Sequence, residues 1–248
     1  MNTTATLPPP KTVSPAAGTP RLDLYGPIHK AWRRFLMDTL LRVGRLDVDD
    51  EAEREQVCGQ VQSLMQAMRG HLQHENEFVH AAIEARHAGG ARQTAAGHEQ
   101  HVDAIGNLDD EAQALRHARP AQRAALAQRL YRHLAAFVAH NLEHMAVEES
   151  ANNALLWSLY SDEELAALHD RLLASIGPDE MALTLRWMAP SLTPQELAGL
   201  FADVRAKAPP AAFEMMYDVA LAHLDEPRRA KLARALGLSP VPGLLLNC

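Results

Sequence analysis

Two short runs carry residues that can do chemistry: His71-Leu72-Gln73-His74-Glu75 and His144-Met145-Ala146-Val147-Glu148. Each sets a histidine and a glutamate four residues apart. On an α-helix, side chains at i and i+4 lie one above the other on the same face. A neutral imidazole and a carboxylate so placed can bind one metal ion, or two neighbouring ions. The direction in which that face points separates a solvated pair from a site.

A helical wheel, stepping about 100° per residue, supplies the direction. Leu64, Met68, Leu72, Glu75, Val79 and Ala82 share a stripe with His71, while His74, His80, Glu84 and His87 fall off it. In the second run Leu134, Phe137, Asn141, Met145, Ala151 and Leu155 share a stripe with His144 and Glu148. Both pairs therefore lie in apolar faces. Burying a carboxylate without a partner costs on the order of several kcal/mol. Two such groups beside imidazoles call for a compensating cation. The plainer alternative is a pair of buried His–Glu hydrogen bonds.

These runs need helices to carry them. Pro27 is well placed to start a first helix, with His29, Trp32, Leu36, Leu40 and Val43 at steps of three and four. Gly44 and Asp47-Val48-Asp49-Asp50 close it and open a second helix from about residue 51 to about residue 87. Gly89-Gly90 stops the second. A third runs from the low nineties to before Pro120, with His98, His101, Ile105, Leu108 and Ala112 on its apolar stripe. A fourth runs from about residue 121 to about residue 160. Short connections between four amphipathic helices predict an all-α, up-down-up-down four-helix bundle. Counted from the turns, His29, His71, His101 and His144 reach similar depths, to within on the order of one helical turn at about 1.5 Å per residue.

One histidine, a His/Glu pair, another histidine and a second His/Glu pair make four imidazoles and two carboxylates. That set suits two borderline first-row ions better than one. Here the sequence resembles the hemerythrin-like (HHE cation-binding) family. The resemblance rests on His29, on His71–Glu75 continuing as Asn76-Glu77-Phe78, on the third-helix histidine, and on His144–Glu148 followed by Glu149; it covers about residues 22–160. It implies two non-haem iron ions, with manganese or zinc as alternatives, and a small diatomic ligand such as O2 or NO. Carried over by position, Glu75 and Glu148 would bridge the ions, His29 and His71 would serve one, and His101 and His144 the other. The oxygen-carrying members use five histidines, two of them on the third helix at i,i+4. Here that helix offers His98 and His101 at i,i+3. His101 fits the depth set by the preceding turn better and His98 that set by the following turn slightly better; His101 is favoured, with His98 as an extra ligand or a hydrogen-bonding support.

The remaining histidines have plainer readings. His80 and Glu84 repeat the i,i+4 spacing on the opposite face, which suits an interhelix or subunit contact. His140 flanks the fourth-helix stripe and is a candidate to support a ligand. His74 faces solvent or a neighbour. His87, His117 and His133 belong to the surface, and His169 and His223 to the surface or ordinary packing.

The totals set outer bounds. The chain has 248 residues, a net charge of -7 and 47% hydrophobic content, much of it Ala and Leu, which favours helices. The acidic balance and the lack of a basic run argue against nucleic acid. Cys58 and Cys248 make no disulfide framework. No apolar run approaches the roughly 18 residues of a membrane span. With no secretory signal evident, the expected location is the cytoplasm. The proline-rich residues 1–21 read as a disordered leader. Residues 161–240 read as an extension of about five short helices, with Thr193-Pro194-Gln195-Glu196 as a capping box, and as a possible homodimer surface. The expected function is a non-haem di-iron protein that binds or senses O2, NO or iron. The alternatives are a di-metal oxidase, peroxidase or oxygenase acting on a small molecule, and a structural protein whose histidines satisfy one another. No Gly-rich phosphate loop, HExxH helix or GxSxG elbow is present.

Overall fold

The computed structural model describes residues 21–238, and every described element is helical. The expected leader, apart from Arg21, and the tail beyond residue 238 lie outside the described residues. Four long segments dominate: α1 (Gly26–Gly44), α2 (Glu51–His74), α4 (Arg92–Arg116) and α5 (Pro120–Val147), with the short α3 (Ala81–Arg86) continuing the α2 rod. Helix α1 packs on α2 and α5, and α4 packs on the same two, so the four close a ring. Local signals set their ends. Asp50 caps α2 by accepting from the Glu53 N–H at 3.0 Å, and a proline opens α5.

Two rods contain a wider turn. Glu75–His80 and Glu148–Asn152 are π-helical, and each begins at the glutamate of a His-x-x-x-Glu run. A π turn accommodates one extra residue, so every side chain beyond it is displaced by about one position around the axis. The expected stripes change accordingly. Ile83 is buried where Ala82 was expected, and Asn152 and Leu156 are buried where Ala151 and Leu155 were expected. His80, assigned to the opposite face by an uninterrupted wheel, is buried and points inward. The loosened backbone is partly satisfied by side chains: Asn153 Nδ2 donates to the Glu149 carbonyl at 3.2 Å and Ser150 Oγ to the Ala146 carbonyl at 2.7 Å.

Five shorter helices follow α6 (Asn153–Leu159): α7 (Asp162–Ser175), α8 (Pro178–Met188), α9 (Pro194–Lys207), α10 (Pro210–Ala222) and α11 (Glu226–Ala235). Ser161 and Thr193 form full capping boxes with Glu164 and Glu196. The extension packs on its own chain. Helix α8 lies along α1, where Trp187 stacks on Phe35 at 4.1 Å between centroids. Lys30 pairs with Glu196, and His74 Nε2 meets Glu180 at 3.0 Å. Arg21 reaches Asp162 and the carbonyls of Trp157 and Tyr160. No helix among the described residues is long and apolar enough to cross a membrane.

The apolar core falls into two clusters. The larger includes Phe35, Leu36, Leu64, Met68, Leu72, Ile105, Leu134 and Met145; the smaller includes Tyr25, Val79, Ile83, Ala91, Leu156 and Leu165. Along all four rods the chemistry-bearing residues fall between the two: His29 between Tyr25 and Ala31, Glu75 between Leu72 and Val79, His98 between Ala91 and Ile105, and Glu148 between Met145 and Leu156. A polar layer is thus enclosed by apolar material on both sides.

Candidate metal centre

The layer is built around two carboxylates, Glu75 and Glu148, which are 4% and 0% exposed. Four imidazoles aim Nε2 at them. His71 Nε2 lies 3.3 Å from Glu75 Oε1, and His144 Nε2 lies 3.1 Å from Glu148 Oε1; both are the i,i+4 pairs. His29, from α1, lies 3.4 Å from Glu75 and 3.5 Å from Glu148. His98, from α4, lies 3.4 Å from Glu75 and 3.3 Å from Glu148. Among the described residues, two sets of ligand atoms converge within 4.8 Å: His29, His71 and Glu75, and Glu75, His98, His144 and Glu148. Glu75 belongs to both.

The structure thus brings five of the six expected residues together: His29, His71, Glu75, His144 and Glu148. On α4 it sets His98, rather than the favoured His101, against the carboxylates. His101 is buried beside them, edge-on to His144 at 4.9 Å and to Phe137 at 5.8 Å between centroids. The two α4 histidines are about one turn apart, which is the uncertainty inherent in counting residues from a turn.

Hydrogen bonds on the far side of the rings fix what the near side presents. His29 Nδ1 donates to Glu149 Oε1 at 3.0 Å, and Glu149 is itself gripped by both terminal nitrogens of Arg33. His98 Nδ1 donates to Asn76 Oδ1 at 2.7 Å. A neutral imidazole that donates through Nδ1 has a bare lone pair at Nε2, the form that binds a metal. Gly97 makes room for His144: a Cβ there would stand 2.8 Å from His144 Nδ1. His140 is exposed and takes no such supporting part.

Without a cation the layer is incompletely satisfied. His29 Nε2, His144 Nε2, both oxygens of Glu75 and Glu148 Oε2 are buried with no hydrogen-bond partner. Buried polar atoms are seldom left so. The titration of the groups reflects the same crowding. Burial works to raise Glu75, but the imidazoles of His71, His29 and His98 prevail and hold it well below the usual carboxylate range. Burial and the charge of Glu75 push Glu148 up, and the nearby imidazoles of His144 and His98 bring it below its ordinary value. Burial alone would lower His29 and His98. Glu149 and Glu75 raise the first to about 9, and Glu148 and Glu75 raise the second to about 9. Burial drives His71 and His101 down to about 4. In the metal-free protein near neutral pH, two imidazolium ions therefore balance two carboxylates.

Several contributing residues carry no signal in an unbroken wheel. His80 becomes interior only through the π turn, and Asn76, itself exposed, reaches both His80 and His98 with its side-chain oxygen. Tyr25 packs its ring 5.3 Å from His29 and accepts from Asn152 Nδ2 at 3.1 Å. The paired Asn152-Asn153, in a helix otherwise rich in Ala and Leu, was the available hint of an irregular turn. A donor set of imidazoles and carboxylates fits a borderline divalent first-row ion, and the orphaned atoms mark where its charge is needed. In comparisons with protein-family models, with curated proteins and with solved structures, nothing matches this chain, so its function is argued from the chemistry of the site.

Proposed function

We propose that this chain is a hemerythrin-like metalloprotein: a four-helix bundle that holds two non-haem iron ions and uses them to bind or sense O2, NO or iron. One observation carries the reading. Two fully enclosed carboxylates face four imidazole Nε2 atoms, and five of the atoms in that layer have no hydrogen-bond partner. A pair of ions rather than one is supported by the two converging sets that share Glu75. In this reading His29 and His71 would hold one ion and His98 and His144 the other, with Glu75 and Glu148 supplying the carboxylate charge between them. Bound iron would supply reversible one-electron redox chemistry and an affinity for diatomic ligands.

The chain's own groups prepare the layer. Glu149 and Arg33 orient His29, and Asn76 orients His98, so both rings already aim Nε2 at the carboxylates and need only give up a proton to bind. The apolar clusters above and below exclude water. Glu75 and Glu148 remain ionised, which keeps negative charge available to a cation.

The reading is tested by metal content and absorption. Full-length protein reconstituted anaerobically with ferrous iron should take up two ions per chain. On exposure to air it should develop the near-ultraviolet charge-transfer absorption of a ferric centre. Glu148→Ala should lose both. Wild-type protein that retains no iron after desalting would end the proposal.

A further inference from the structure

The extension, α7–α11, fastens to one pair of rods in the bundle. Helix α8 packs along α1 and against α2, and α7 packs on the π turn Glu75–His80 that continues α2. Its polar ties fall on the same two rods. Lys30 of α1 pairs with Glu196 of α9. His74, at the end of α2, has its Nε2 3.0 Å from Glu180 Oε1 of α8. Arg86, beyond the π turn, pairs with Glu164 of α7. Among the described residues no ion pair joins the extension to α4 or α5. Two of the ties adjoin a ligand directly: Lys30 follows His29, and His74 precedes Glu75. Glu180 is seated hard against the helix it grips. Gly70 leaves it the space, since a Cβ there would stand 2.7 Å from Glu180 Oε1.

The two converging ligand sets stand differently toward this attachment. His29, His71 and Glu75 come from α1, α2 and the π turn, all fastened by the extension; His98, His144 and Glu148 come from α4 and the α5 rod, which carry none of its ion pairs. The first set is also far from the covalent link between its helices. The α1–α2 turn begins after Gly44, about 22 Å along α1 from His29 at about 1.5 Å per residue. A preorganised site tolerates displacements of roughly 0.5 Å. The axial offset of α1 against α2 therefore needs a tie at the ligand end, and the extension supplies one from Lys30 across to His74. Resting on the metal reading given above, we propose that the extension is a clamp for the α1–α2 half of the centre: Glu180 and Glu196 are positioning residues that act through His74 and Lys30 to hold His29, His71 and Glu75 in register.

The test is cobalt(II) titration of the full-length protein, read by absorption, by chelator competition and by the contact-shifted N–H proton resonances of coordinated imidazoles. The wild type should take up two ions. The double variant Lys30→Met, Glu180→Ala removes both ties and spares the capping box that Glu196 forms with Thr193. Surface ion pairs contribute little to folding, so the change probes register rather than stability. The variant should bind one ion as tightly as the wild type and the other about tenfold more weakly. At one equivalent of cobalt it should show the shifted resonances of His98 and His144 and lack those of His29 and His71. Glu180→Gln, whose amide oxygen still accepts from His74, should bind both ions as the wild type does. Two ions held as tightly as in the wild type, or two weakened alike, make the extension a packing element and overturn the inference. If the double variant does not fold, Glu180→Ala alone is judged by the same criterion. Wild-type protein that takes up no cobalt overturns the metal reading itself, and this inference with it.

Discussion

Gly97 and Gly106 both lie in α4, and they allow the geometry of the centre to be separated from the stability of the helix. An alanine in place of a helical glycine contributes about 0.8–1.0 kcal/mol through backbone propensity. At Gly106 a Cβ would meet nothing within 4 Å. Gly106→Ala should therefore raise the melting temperature of the metal-free protein by about 2–4 °C and leave metal affinity unchanged. At Gly97 the same Cβ would stand 2.8 Å from His144 Nδ1 and 3.0 Å from its Cε1, about 0.6 Å inside the 3.4 Å at which ordinary contact begins. The ring has little room to give way. It has Glu148 Oε1 3.1 Å from one edge and lies against His98 at 4.8 Å and His101 at 4.9 Å. A displacement of that size exceeds the roughly 0.5 Å tolerance of a preorganised site. Gly97→Ala should then weaken ferrous-iron affinity by about 10–100-fold, measured by competition with a chromophoric chelator. Its propensity gain would be partly cancelled by the contact, so its melting temperature should rise less than that of Gly106→Ala. If Gly97→Ala binds iron as tightly as Gly106→Ala does, His144 is not a ligand held by close packing and the reasoning is refuted.

Other predictions follow from the supporting groups and from the charges. Glu149→Ala leaves His29 Nδ1 and Arg33 without their partner, and iron affinity should drop about 10–100-fold in the same competition assay while far-ultraviolet circular dichroism is unchanged; equal affinity would remove Glu149 from the site. Loading the centre must displace the protons that His29 and His98 hold with values of about 9, so apparent affinity should climb with pH up to about 9, by as much as about 100-fold per unit if both protons leave together. A flat profile between pH 6.5 and 8.5 would contradict that assignment. In the metal-free protein the same two raised values contribute stability that is complete below about pH 6.5 and is lost as pH rises through about 9, so its melting temperature should fall between pH 7 and 10. Protein loaded with metal should not show that fall. Stripping the metal with a chelator at pH 7 should lower the melting temperature, since an ion that binds only the folded layer stabilises it by mass action; unchanged melting would favour histidines that merely satisfy one another.

Local spacing made much of this legible in the chain itself. The two His-x-x-x-Glu runs, the proline and acidic helix starts, Gly89-Gly90 and the capping box at Thr193 are short-range features, and short-range geometry is what a wheel and a capping rule describe. They placed His29, His71, Glu75, His144 and Glu148 on inward faces and located the helices of the extension. Three matters required the assembled molecule. The extension's use, with α8 laid along α1 and Trp187 on Phe35, depends on contacts between residues about 150 positions apart. The choice between His98 and His101 depends on the axial offset of α4 against α2 and α5, and an error of one turn in that offset exchanges the two. Both π turns begin at a ligand glutamate, and neither can be seen in a sequence pattern that assumes a constant 3.6 residues per turn. Each inserts one residue into the count. That single step turns His80 from outward to inward, because a helical face is defined by accumulated rotation and everything beyond an irregular turn inherits its offset.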